Sequence, residues 1–434
     1  MTESQVFHTT CPAIYGSAVA SIMFQVSRHR PEKAANESFE CNSVLLLNSI
    51  FILANWSSQT EGGGSHFEFV SVCHRDSISR NCTAMTLSDA ANHILLNSGL
   101  LQSRTLGEFV LQDSDQPLPA QNLFSSSDAL PTIDLYCAGA AEQLAAACRD
   151  WGFFQIQNHG IPLELLNRLR AHSHSFFELP LEQKERAAAC SANSFYGYGI
   201  AKGRTYSPNA WMEAFHMEWT PASQVRRHME RIGIPQPQFE GFCEAVEQYA
   251  SQAEKLAVQL MELVALGLGL DATTFSRHFA GSSTSTVRMN YYPPCPQPSR
   301  TLGISPHSDF NIFTILLQDT VAGLQVLKDN DEWVTVKPNP NALVVNVGDT
   351  LHAWSNGRIK SVMHRALVNT TEPRLSVVYF FGPHPDTKID PIPALVSSDC
   401  PLRYRSFVYK QFVEQILQNR GKKVFESPLN SLLL

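Results

Sequence analysis

The segment TLGISPHSDFNIFTILLQ (residues 301–318) contains two short runs of strand-forming residues with no helical periodicity between them. Similar runs recur on both sides of it, and polar turn residues such as those at 328–331 separate several of them. Eight short strands without an intervening helix predict an antiparallel sandwich or barrel, and we expect a jelly roll. The predicted strands are 285–292, 302–307, 311–317, 323–328, 333–337, 342–347, 361–368 and 374–381.

Within this segment, His307-Ser308-Asp309 has the spacing of a metal site. Residues i and i+2 of an extended strand project from one face, so His-x-Asp directs an imidazole and a carboxylate towards one point. His364 offers a third ligand. Two histidines and one carboxylate occupy one face of an octahedral iron(II) ion and leave positions open for a co-substrate and oxygen. A His-x-Asp tripeptide alone often arises by chance, and His307 could then be a surface or core histidine.

Shortly after His364, Arg374-Leu375-Ser376 places a guanidinium and a hydroxyl on one strand face. Such a fork of N–H donors suits one carboxylate of a small dicarboxylate whose other end reaches the metal. The rest of this strand is mainly apolar, and a buried arginine without a partner there would be severely unfavourable. Arg374 therefore needs either an anionic ligand or a buried aspartate or glutamate.

This set of residues resembles the plant-type iron(II)- and 2-oxoglutarate-dependent dioxygenases, whose pattern runs N-x-Y, H-x-D, a distal H and R-x-S. The stretch WGFFQIQNHGI (residues 151–161) is similar to the amino-terminal region of the same family. The resemblance names the double-stranded β-helix as the fold, which is the jelly roll predicted above. We therefore expect an α+β protein with a jelly-roll core, flanking helices and an amino-terminal α/β region.

The resemblance implies an oxidoreductase that binds iron(II) and takes 2-oxoglutarate as co-substrate, with ascorbate as reductant. 2-Oxoglutarate would chelate the metal through its 2-oxo acid and extend its distal carboxylate to the arginine. Its oxidative decarboxylation to succinate and carbon dioxide would drive oxygenation of an unactivated C–H bond. The implied metal ligands are His307, Asp309 and His364, and the implied co-substrate residues are Arg374, Ser376, Tyr292 and Asn290.

The substrate prediction depends on residues 189–231, which show no regular periodicity, as is common in functional loops and in segments that merely cover a core. Within them WMEAFH (residues 211–216) is similar to a W-x-E-x-F stretch of gibberellin oxidases, particularly 2-oxidases acting on C20 precursors. The resemblance implies oxidation of a gibberellin at C-2, which inactivates the hormone. Aromatic candidates for a lipophilic pocket, each of which could equally be core, are Phe195, Tyr196, Tyr198, Phe215, Phe380 and Phe381.

Three alternatives stay open. The first is a dioxygenase of the same group acting on a flavonoid or another specialised metabolite. The second is the ethylene-forming oxidase, a relative that keeps the metal triad and an R-x-S pair but uses ascorbate. The third, from another class, is a non-catalytic jelly roll that binds a small molecule or a protein, although a pure binder has no need of all five residues.

Composition excludes several other classes of protein. The net charge of −7, the pI near 6.1 and the lack of a polybasic run argue against a nucleic-acid or membrane-surface partner. The apolar run from Val44 to Ala54 is too short to span a bilayer. Ten scattered cysteines without a C-x-x-C pair indicate buried thiols in a reducing compartment. We expect a cytoplasmic monomer whose partners are a small substrate, O2 and 2-oxoglutarate.

The chain divides unevenly along its length. Residues 1–84 lack clear periodicity and include Gly62-Gly63-Gly64, so we expect a poorly ordered, dispensable extension. From Phe242 the apolar residues recur with alternating steps of four and three, which predicts a long amphipathic helix that ends near Gly267 and braces the sheet. The predicted parts are the extension at 1–84, a partly helical linker at 85–130, an amino-terminal dioxygenase region at 131–235, the bracing helix at 236–280, the catalytic jelly roll at 281–395 and a carboxy-terminal helix and tail at 396–434.

The extension generates the first prediction. If residues 1–84 reflect an assumed rather than a real start of translation, the protein isolated from its source should begin near Met85. Mass spectrometry of the amino-terminal peptide measures this directly. A protein that retains an intact Met1 start would contradict the expectation.

Overall fold

The computed structural model describes residues 4–9, 22–28, 39–47, 50–58, 69–74, 84–85, 106–111, 129–187, 196–200, 209–219, 225–226, 229–230, 236–279, 284–418 and 428–434. Two compact units divide the chain, at 1–94 and 95–434. The residues predicted to bind metal and co-substrate all lie in the second unit. Of the helices that the structure describes, none combines the length and the apolar character needed to cross a bilayer.

The first unit contains a six-stranded antiparallel sheet in which the strands pair in chain order. It covers the part of the chain for which the sequence predicts poor order. That this part is dispensable stays a prediction, because strand pairing does not reveal whether the second unit needs it. The strands are β1 (Ser4–Thr9), β2 (Ile22–Arg28), β3 (Phe39–Leu47), β4 (Ile50–Ser58), β5 (Phe69–His74) and β6 (Ala84–Met85).

The second unit is built on two facing sheets. Its strands are β7 (Thr132–Asp134), β8 (Phe153–Gln157), β9 (Gly197–Ile200), β10 (Glu213–Trp219), β11 (Thr284–Tyr292), β12 (Ile304–His307), β13 (Phe313–Gln318), β14 (Leu324–Leu327), β15 (Trp333–Thr335), β16 (Leu343–Val347), β17 (His364–Ala366), β18 (Arg374–Gly382), β19 (Lys388–Ile389) and β20 (Phe407–Val408). The large sheet has the order β7-β8-β16-β13-β18-β11-β10-β9, and the small sheet has the order β12-β17-β14-β15. Apart from β7 with β8, these described strands pair antiparallel. All eight predicted strands are present, and the predicted jelly roll is confirmed.

The second unit also contains the following described α-helices. They are α1 (Ala140–Asp150), α2 (Leu163–Phe177), α3 (Leu181–Arg186), α4 (Gln236–Gly267), α5 (Thr273–Ser276), α6 (Asp349–Trp354) and α7 (Tyr409–Gln418), with short 3-10 turns at Leu106–Glu108, Arg277–Phe279, Pro298–Arg300, Pro393–Leu395 and Pro428–Leu432. Helix α4 packs against β11, β13 and β18, and also against α1 and α2. Its apolar stripe, at 242, 246, 249, 253, 256 and 260, is buried, which is why one face of this helix is apolar.

Two parts of the second unit correct the sequence-based expectation. Residues 189–231, predicted to be irregular, contain β9 and β10, which extend the large sheet at one edge. Residues 215–219 of β10 alternate between apolar and polar side chains, so this part of the sequence does contain a strand pattern. Helix α6 interrupts the strand series that the sequence predicted to be free of helices. It has six residues, fewer than two turns, and is too short to show a helical period.

The described cysteines are unpaired, as the sequence predicts. Cys148, Cys243 and Cys295 are buried, whereas Cys137 and Cys400 are half-buried. Burial raises the pKa of the Cys148 thiol well above its usual value, and it raises the pKa of Cys243 to about 12. These two thiols therefore act as small apolar side chains of the core.

A fully buried ion pair fixes the position of β10. Lys184 Nζ lies 2.5 Å from Glu213 Oε2, and neither side chain has exposed surface. Lys184 also donates to the carbonyl oxygen of Phe177 at 3.0 Å, and the Tyr198 hydroxyl donates to the same glutamate oxygen at 2.7 Å. The pair thereby joins α3 to β9 and β10. Because a buried charge is tolerated only with its partner, this contact determines where the edge of the sheet lies.

The buried pair generates a stability prediction. Lys184→Met leaves the Glu213 carboxylate buried without its cation, and we expect a loss of about 3–5 kcal/mol in unfolding free energy. Arg186→Met removes an exposed pair with Glu182 on the same helix and should cost at most about 0.5 kcal/mol. Denaturant unfolding followed by circular dichroism measures both.

The double variant Lys184→Met/Glu213→Leu tests whether the unpaired Glu213 charge causes the loss of stability. An apolar pair of similar size leaves no unpaired charge, so this variant should recover a substantial part of the loss. Equal destabilisation by Lys184→Met and by Arg186→Met would show that the buried pair has no special role.

Candidate active site

A cavity of about 640 Å³ lies in the second unit and is lined by strands of both sheets. Side chains alternate between the two faces of a strand, so every second residue of β11 and of β18 reaches the cavity. The residues that do so are Thr284, Thr286, Arg288, Asn290 and Tyr292 from β11, and Arg374, Ser376, Val378 and Phe380 from β18. The large sheet therefore presents both polar and apolar groups to one enclosed space.

The predicted metal ligands converge at one end of this cavity. His307 and His364 are directly opposite each other in the β12–β17 pairing, and their ring centroids are 4.2 Å apart. His307 Nε2 lies 3.8 Å from Asp309 Oδ1, and His364 Nε2 lies 3.8 Å from Asp309 Oδ2. One ligand atom from each side chain lies within 4.8 Å of the other two. The three side chains can thus bind one ion together.

Asp309 differs in one respect from the expectation. The sequence predicts that it lies in the same strand as His307, but β12 ends at His307 and Asp309 follows in a loop. Its carbonyl oxygen accepts a hydrogen bond from the backbone N–H of Asp349 at 2.7 Å. Ser308 in the same loop donates its hydroxyl hydrogen to the Asp349 carboxylate at 3.0 Å. The carboxylate is therefore placed by side-chain and loop contacts with α6 rather than by strand geometry.

Hydrogen bonds of the two histidines leave the correct nitrogen available for a metal. His307 Nδ1 lies 2.9 Å from the carbonyl oxygen of Ser305, and His364 Nδ1 lies 3.2 Å from that of Val362. A carbonyl oxygen only accepts, so each Nδ1 carries the hydrogen and each Nε2 keeps its lone pair. Backbone partners of this kind orient metal-binding imidazoles.

The protonation states also suit a divalent cation. Desolvation in the cavity, with the charge of His364, lowers the pKa of His307 to about 4. Burial acts to raise the pKa of Asp309, but the charges of His364 and His307 outweigh it and hold that pKa below its usual value. At neutral pH the site therefore offers a neutral His307 imidazole and an ionised carboxylate, as metal ligation requires.

The predicted co-substrate residues form two adjacent cross-strand pairs. Asn290 is opposite Ser376, and Tyr292 is opposite Arg374, in the antiparallel ladder of β11 and β18. The guanidinium carbon of Arg374 lies 5.1 Å from the centroid of the Tyr292 ring. A Cβ atom at Gly323 would lie only 2.8 Å from the Arg374 side chain, so the glycine makes room for it. These four residues form one wall of the cavity.

Arg374 lacks the protein partner that a structural role would require. It is 2% exposed, and its Nε has no hydrogen-bond acceptor among the described residues. No aspartate or glutamate of the described residues forms an ion pair with it. A buried guanidinium without an anion is unfavourable, so the geometry suits the carboxylate of a ligand.

A short relay orients Ser376 towards the same ligand position. Arg288 Nε donates to Asn290 Oδ1 at 2.7 Å, which fixes the orientation of the amide. Asn290 Nδ2 then donates to Ser376 Oγ at 3.4 Å, a long hydrogen bond. Because Ser376 accepts from Asn290, its own hydroxyl hydrogen is available to donate to a carboxylate.

The stretch on which the substrate prediction depends packs mostly into the core. Trp211 Nε1 donates to the carbonyl oxygen of Pro293 at 2.9 Å, Glu213 pairs with Lys184, and Phe215 stacks on Phe176 at 4.5 Å. The residues of this stretch that line the cavity are Met212 and His216. The three letters of the W-x-E-x-F pattern therefore explain packing and not substrate contact.

Some of the aromatic residues proposed for the pocket line the cavity, and others lie in the core. Tyr196 and Phe380 line the cavity. Tyr198, Phe215 and Phe381 are buried in the core instead. Phe195 lies outside the described residues.

Two residues at the metal end were missed by the sequence reasoning. Thr314 Oγ1 lies 2.6 Å and Asn346 Nδ2 lies 2.8 Å from Asp309 Oδ2. Both are buried and both line the cavity. The available indication was a polar residue flanked by apolar ones inside each of two buried strands, FTILLQ and LVVNV, where a buried polar group needs a partner.

Comparison with known proteins identifies the relatives of this chain. Residues 283–383 match the sequence model of the 2OG-Fe(II) oxygenase superfamily, and residues 130–235 match that of the non-haem dioxygenase in morphine synthesis N-terminal family. Gibberellin 3-beta-dioxygenase 1 of Arabidopsis thaliana is 40% identical over 67% of this chain and 80% of its own length. Gibberellin 2-beta-dioxygenase 8 of the same plant is 38% identical over 70% of this chain and 87% of its own length.

Solved structures agree with these matches. The crystal structure of JOX2 in complex with 2OG, Fe and JA has a TM-score of 0.66 and 31% identity, and covers 79% of this chain and 97% of that one. The crystal structure of the dioxygenase for auxin oxidation in rice has a TM-score of 0.58 and 32% identity. The match covers 70% of this chain and 100% of the rice chain.

The assignment of Arg374 to 2-oxoglutarate binding can be tested by substitution. Arg374→Met should weaken 2-oxoglutarate binding by about 30-fold or more, since loss of a buried charge partner costs about 2 kcal/mol or more. The same change should leave the thermal stability of the ligand-free protein unchanged or raised, because it removes an unpaired buried charge. Anaerobic ligand titration and thermal unfolding measure the two effects.

Arg365 provides the matched control. It is also buried, but it donates to Gln325 Oε1 at 2.8 Å and lies 4.1 Å from the Trp333 ring centroid. Arg365→Met should therefore lower stability. If Arg374→Met lowers stability as much and leaves 2-oxoglutarate binding intact, Arg374 is a structural residue.

Proposed function

This chain belongs to the 2OG-Fe(II) oxygenase superfamily and is a 2-oxoglutarate- and Fe(II)-dependent dioxygenase, and we propose that it oxidises a gibberellin at an iron held by His307, Asp309 and His364. The observation that carries the site assignment is the convergence of these three side chains beside a buried arginine that lacks a protein anion. Membership of this family argues against the non-catalytic alternative.

The side chains of the cavity have separate roles in this proposal. Iron(II), when bound, supplies the chemistry that activates O2 while 2-oxoglutarate is decarboxylated to succinate and carbon dioxide. His307, Asp309 and His364 would hold the ion. Arg374 receives the distal carboxylate of 2-oxoglutarate, with a further hydrogen bond from Ser376. The carboxylate thus neutralises a charge that the protein itself leaves unpaired.

The cavity suits a lipophilic acid as the second substrate. Its volume of about 640 Å³ falls within the range of about 300–1,000 Å³ that is typical of small-molecule sites. Met212, Val378 and Phe380 offer apolar surface, whereas Arg288 and Thr286 offer polar contacts on the same sheet. A diterpenoid acid presents both an apolar skeleton and a carboxylate. The similarity to two gibberellin dioxygenases supports the same class of substrate.

The carbon that is oxidised is the finer part of the proposal. We propose C-2, on the basis of the resemblance of residues 211–216 to gibberellin 2-oxidases, a stretch in which Met212 and His216 line the cavity. The 2-beta and 3-beta relatives are similar to this chain at 38% and 40% identity, so overall identity does not distinguish the two positions. Product analysis therefore has to decide between C-2 and C-3.

A decarboxylation screen tests the proposed function. Purified protein with iron(II), 2-oxoglutarate and ascorbate should release succinate in the presence of C19 or C20 gibberellins, and mass spectrometry with NMR should locate the new hydroxyl at C-2. Jasmonic acid, auxin and flavanones serve as comparison substrates. The Asp309→Ala variant should release no succinate with any of them.

Different outcomes would contradict different parts of the proposal. Turnover of flavanones with inert gibberellins would contradict the substrate and leave the reaction class intact. Hydroxylation at C-3 would contradict only the position. Full succinate release by Asp309→Ala would contradict the assignment of the iron ligands.

A further inference from the structure

Gln318 is the last residue of strand β13, and we propose that its side-chain amide is a further part of the 2-oxoglutarate site. In the loaded protein its amide oxygen accepts from Arg374 Nε, and its amide nitrogen donates to the distal carboxylate of 2-oxoglutarate. The inference rests on the role proposed above for Arg374 and deepens it. Gln318 thereby orients the guanidinium and helps the site to select a 2-oxo acid that carries a second carboxylate.

The register of the large sheet places Gln318 next to the predicted co-substrate residues. Gln318 is directly opposite Ser376 in the antiparallel ladder of β13 and β18, and Arg374 lies two residues further along β18. Because side chains alternate, Gln318 shares its sheet face with Thr314 and Leu316, which both line the cavity. Diagonal neighbours on one sheet face are about 7–8 Å apart, a distance that long side chains can span. The amide of Gln318 can therefore reach the guanidinium of Arg374.

Gly323 shows that Arg374 Nε lies beside the end of β13. A Cβ atom at Gly323 would lie 3.0 Å from Arg374 Nε, so the guanidinium packs against the turn that connects β13 to β14. Gln318 immediately precedes this turn. The amide and the guanidinium thus occupy the same buried corner, and the lack of a side chain at position 323 makes room for them.

The amide of Gln318 is buried without a hydrogen-bond partner. The residue is 4% exposed, and among the described residues neither its Oε1 nor its Nε2 has a partner. Each unsatisfied buried group costs about 1–3 kcal/mol, a cost that an apolar side chain would avoid. Native proteins rarely retain such groups without a ligand, a bound water or a functional reason. The amide therefore indicates a partner from outside the chain.

The unpartnered atoms in this corner complement a carboxylate. They are two donors, Arg374 Nε and Gln318 Nε2, and one acceptor, Gln318 Oε1. A carboxylate only accepts hydrogen bonds, so it can satisfy a donor but not Oε1. Arg374 Nε can donate to Oε1, while Gln318 Nε2 and the terminal guanidinium nitrogens donate to the carboxylate. With the carboxylate bound, none of the three atoms stays unpaired.

A buried water is the alternative partner for these atoms. Such a water makes about two to four hydrogen bonds and can satisfy an amide. It does not neutralise the guanidinium of Arg374, which forms no ion pair with an aspartate or glutamate of the described residues. A ligand carboxylate supplies both the hydrogen-bond acceptors and the negative charge. The buried corner therefore favours a carboxylate over water alone.

A co-substrate analogue without the distal carboxylate tests the proposal. 2-Oxovalerate has the 2-oxo acid and the chain length of 2-oxoglutarate but ends in a methyl group. Gln318→Met removes both polar atoms at nearly constant volume. It should weaken 2-oxoglutarate binding by about 10-fold, as expected for loss of a hydrogen bond to a charged group, and leave 2-oxovalerate binding unchanged. Anaerobic titration of the Co(II)-loaded full chain, followed by visible absorption, measures both affinities.

A second variant tests the hydrogen-bond assignment. Gln318→Glu keeps an acceptor for Arg374 Nε but replaces the amide donor with a negative charge. The new carboxylate gives Arg374 an anion inside the protein, so the ligand-free variant should unfold at the same temperature as the unaltered protein or at a higher one. Because like charges repel, 2-oxoglutarate should bind about 100-fold or more weakly. Thermal unfolding and the same titration measure the two effects.

Gln325→Met provides the matched control. Gln325 is also buried, but it donates to Thr335 Oγ1 at 3.0 Å and accepts from Arg365 Nε at 2.8 Å. Its substitution should lower thermal stability and leave the ratio of 2-oxoglutarate to 2-oxovalerate affinity unchanged. Gln318→Met should instead leave the stability of the ligand-free protein unchanged or raise it, because it removes an unsatisfied buried amide.

The contrary outcomes are distinct. Unchanged 2-oxoglutarate affinity in Gln318→Met would overturn the proposal and is the result expected if a buried water satisfies the amide. Equal weakening of 2-oxoglutarate and 2-oxovalerate binding would also overturn it, since Gln318 would then have a structural role. Intact 2-oxoglutarate binding by Arg374→Met would instead overturn the role of Arg374 in the proposed function.

Discussion

The active site depends on the pairing of β12 with β17, which places two imidazoles next to each other beside a buried carboxylate. His307 and His364 are distant in sequence and become cross-strand neighbours only when β12 pairs with β17 in the small sheet. Without an ion, this arrangement crowds two desolvated imidazoles around Asp309, and the pKa of His307 falls to about 4 as a result. A bound divalent cation would interact favourably with these desolvated ligand atoms. The paired strands therefore favour binding of a divalent cation.

Buried cations elsewhere in the second unit show why Arg374 is functional in this account. Lys184 is buried with Glu213 and has a structural partner. Arg365 is buried against Gln325 and the Trp333 ring. Arg374 has an aromatic neighbour but no anion among the described residues, and its buried Nε has no hydrogen-bond acceptor there. Lys184 and Arg365 have protein partners and therefore stabilise the fold. Arg374 lacks such a partner and is therefore assigned to ligand binding.

Much of the fold and the metal set could be predicted from the sequence, because both depend on short-range spacing. The eight strands were recognised from turn residues between apolar runs, and His307, Asp309 and His364 from their order. Helix α6 could not be predicted because it is shorter than two turns, whereas residues 215–219 of β10 do show the alternation of a strand. Thr314 and Asn346 could not be assigned to the site, because only the β13–β16 register places them opposite each other. In residues 211–216 the Trp, Glu and Phe side chains pack in the core, so the substrate that their resemblance implies stays a proposal.

Crystals grown anaerobically with iron(II) and 2-oxoglutarate would test the central claim most directly. Anomalous scattering measured at the iron absorption edge locates the ion independently of any assumed ligands. The account predicts one peak in contact with His307 Nε2, His364 Nε2 and the Asp309 carboxylate, with the distal carboxylate of 2-oxoglutarate on Arg374. A peak at other side chains, or a 2-oxoglutarate carboxylate bound away from Arg374, would contradict it.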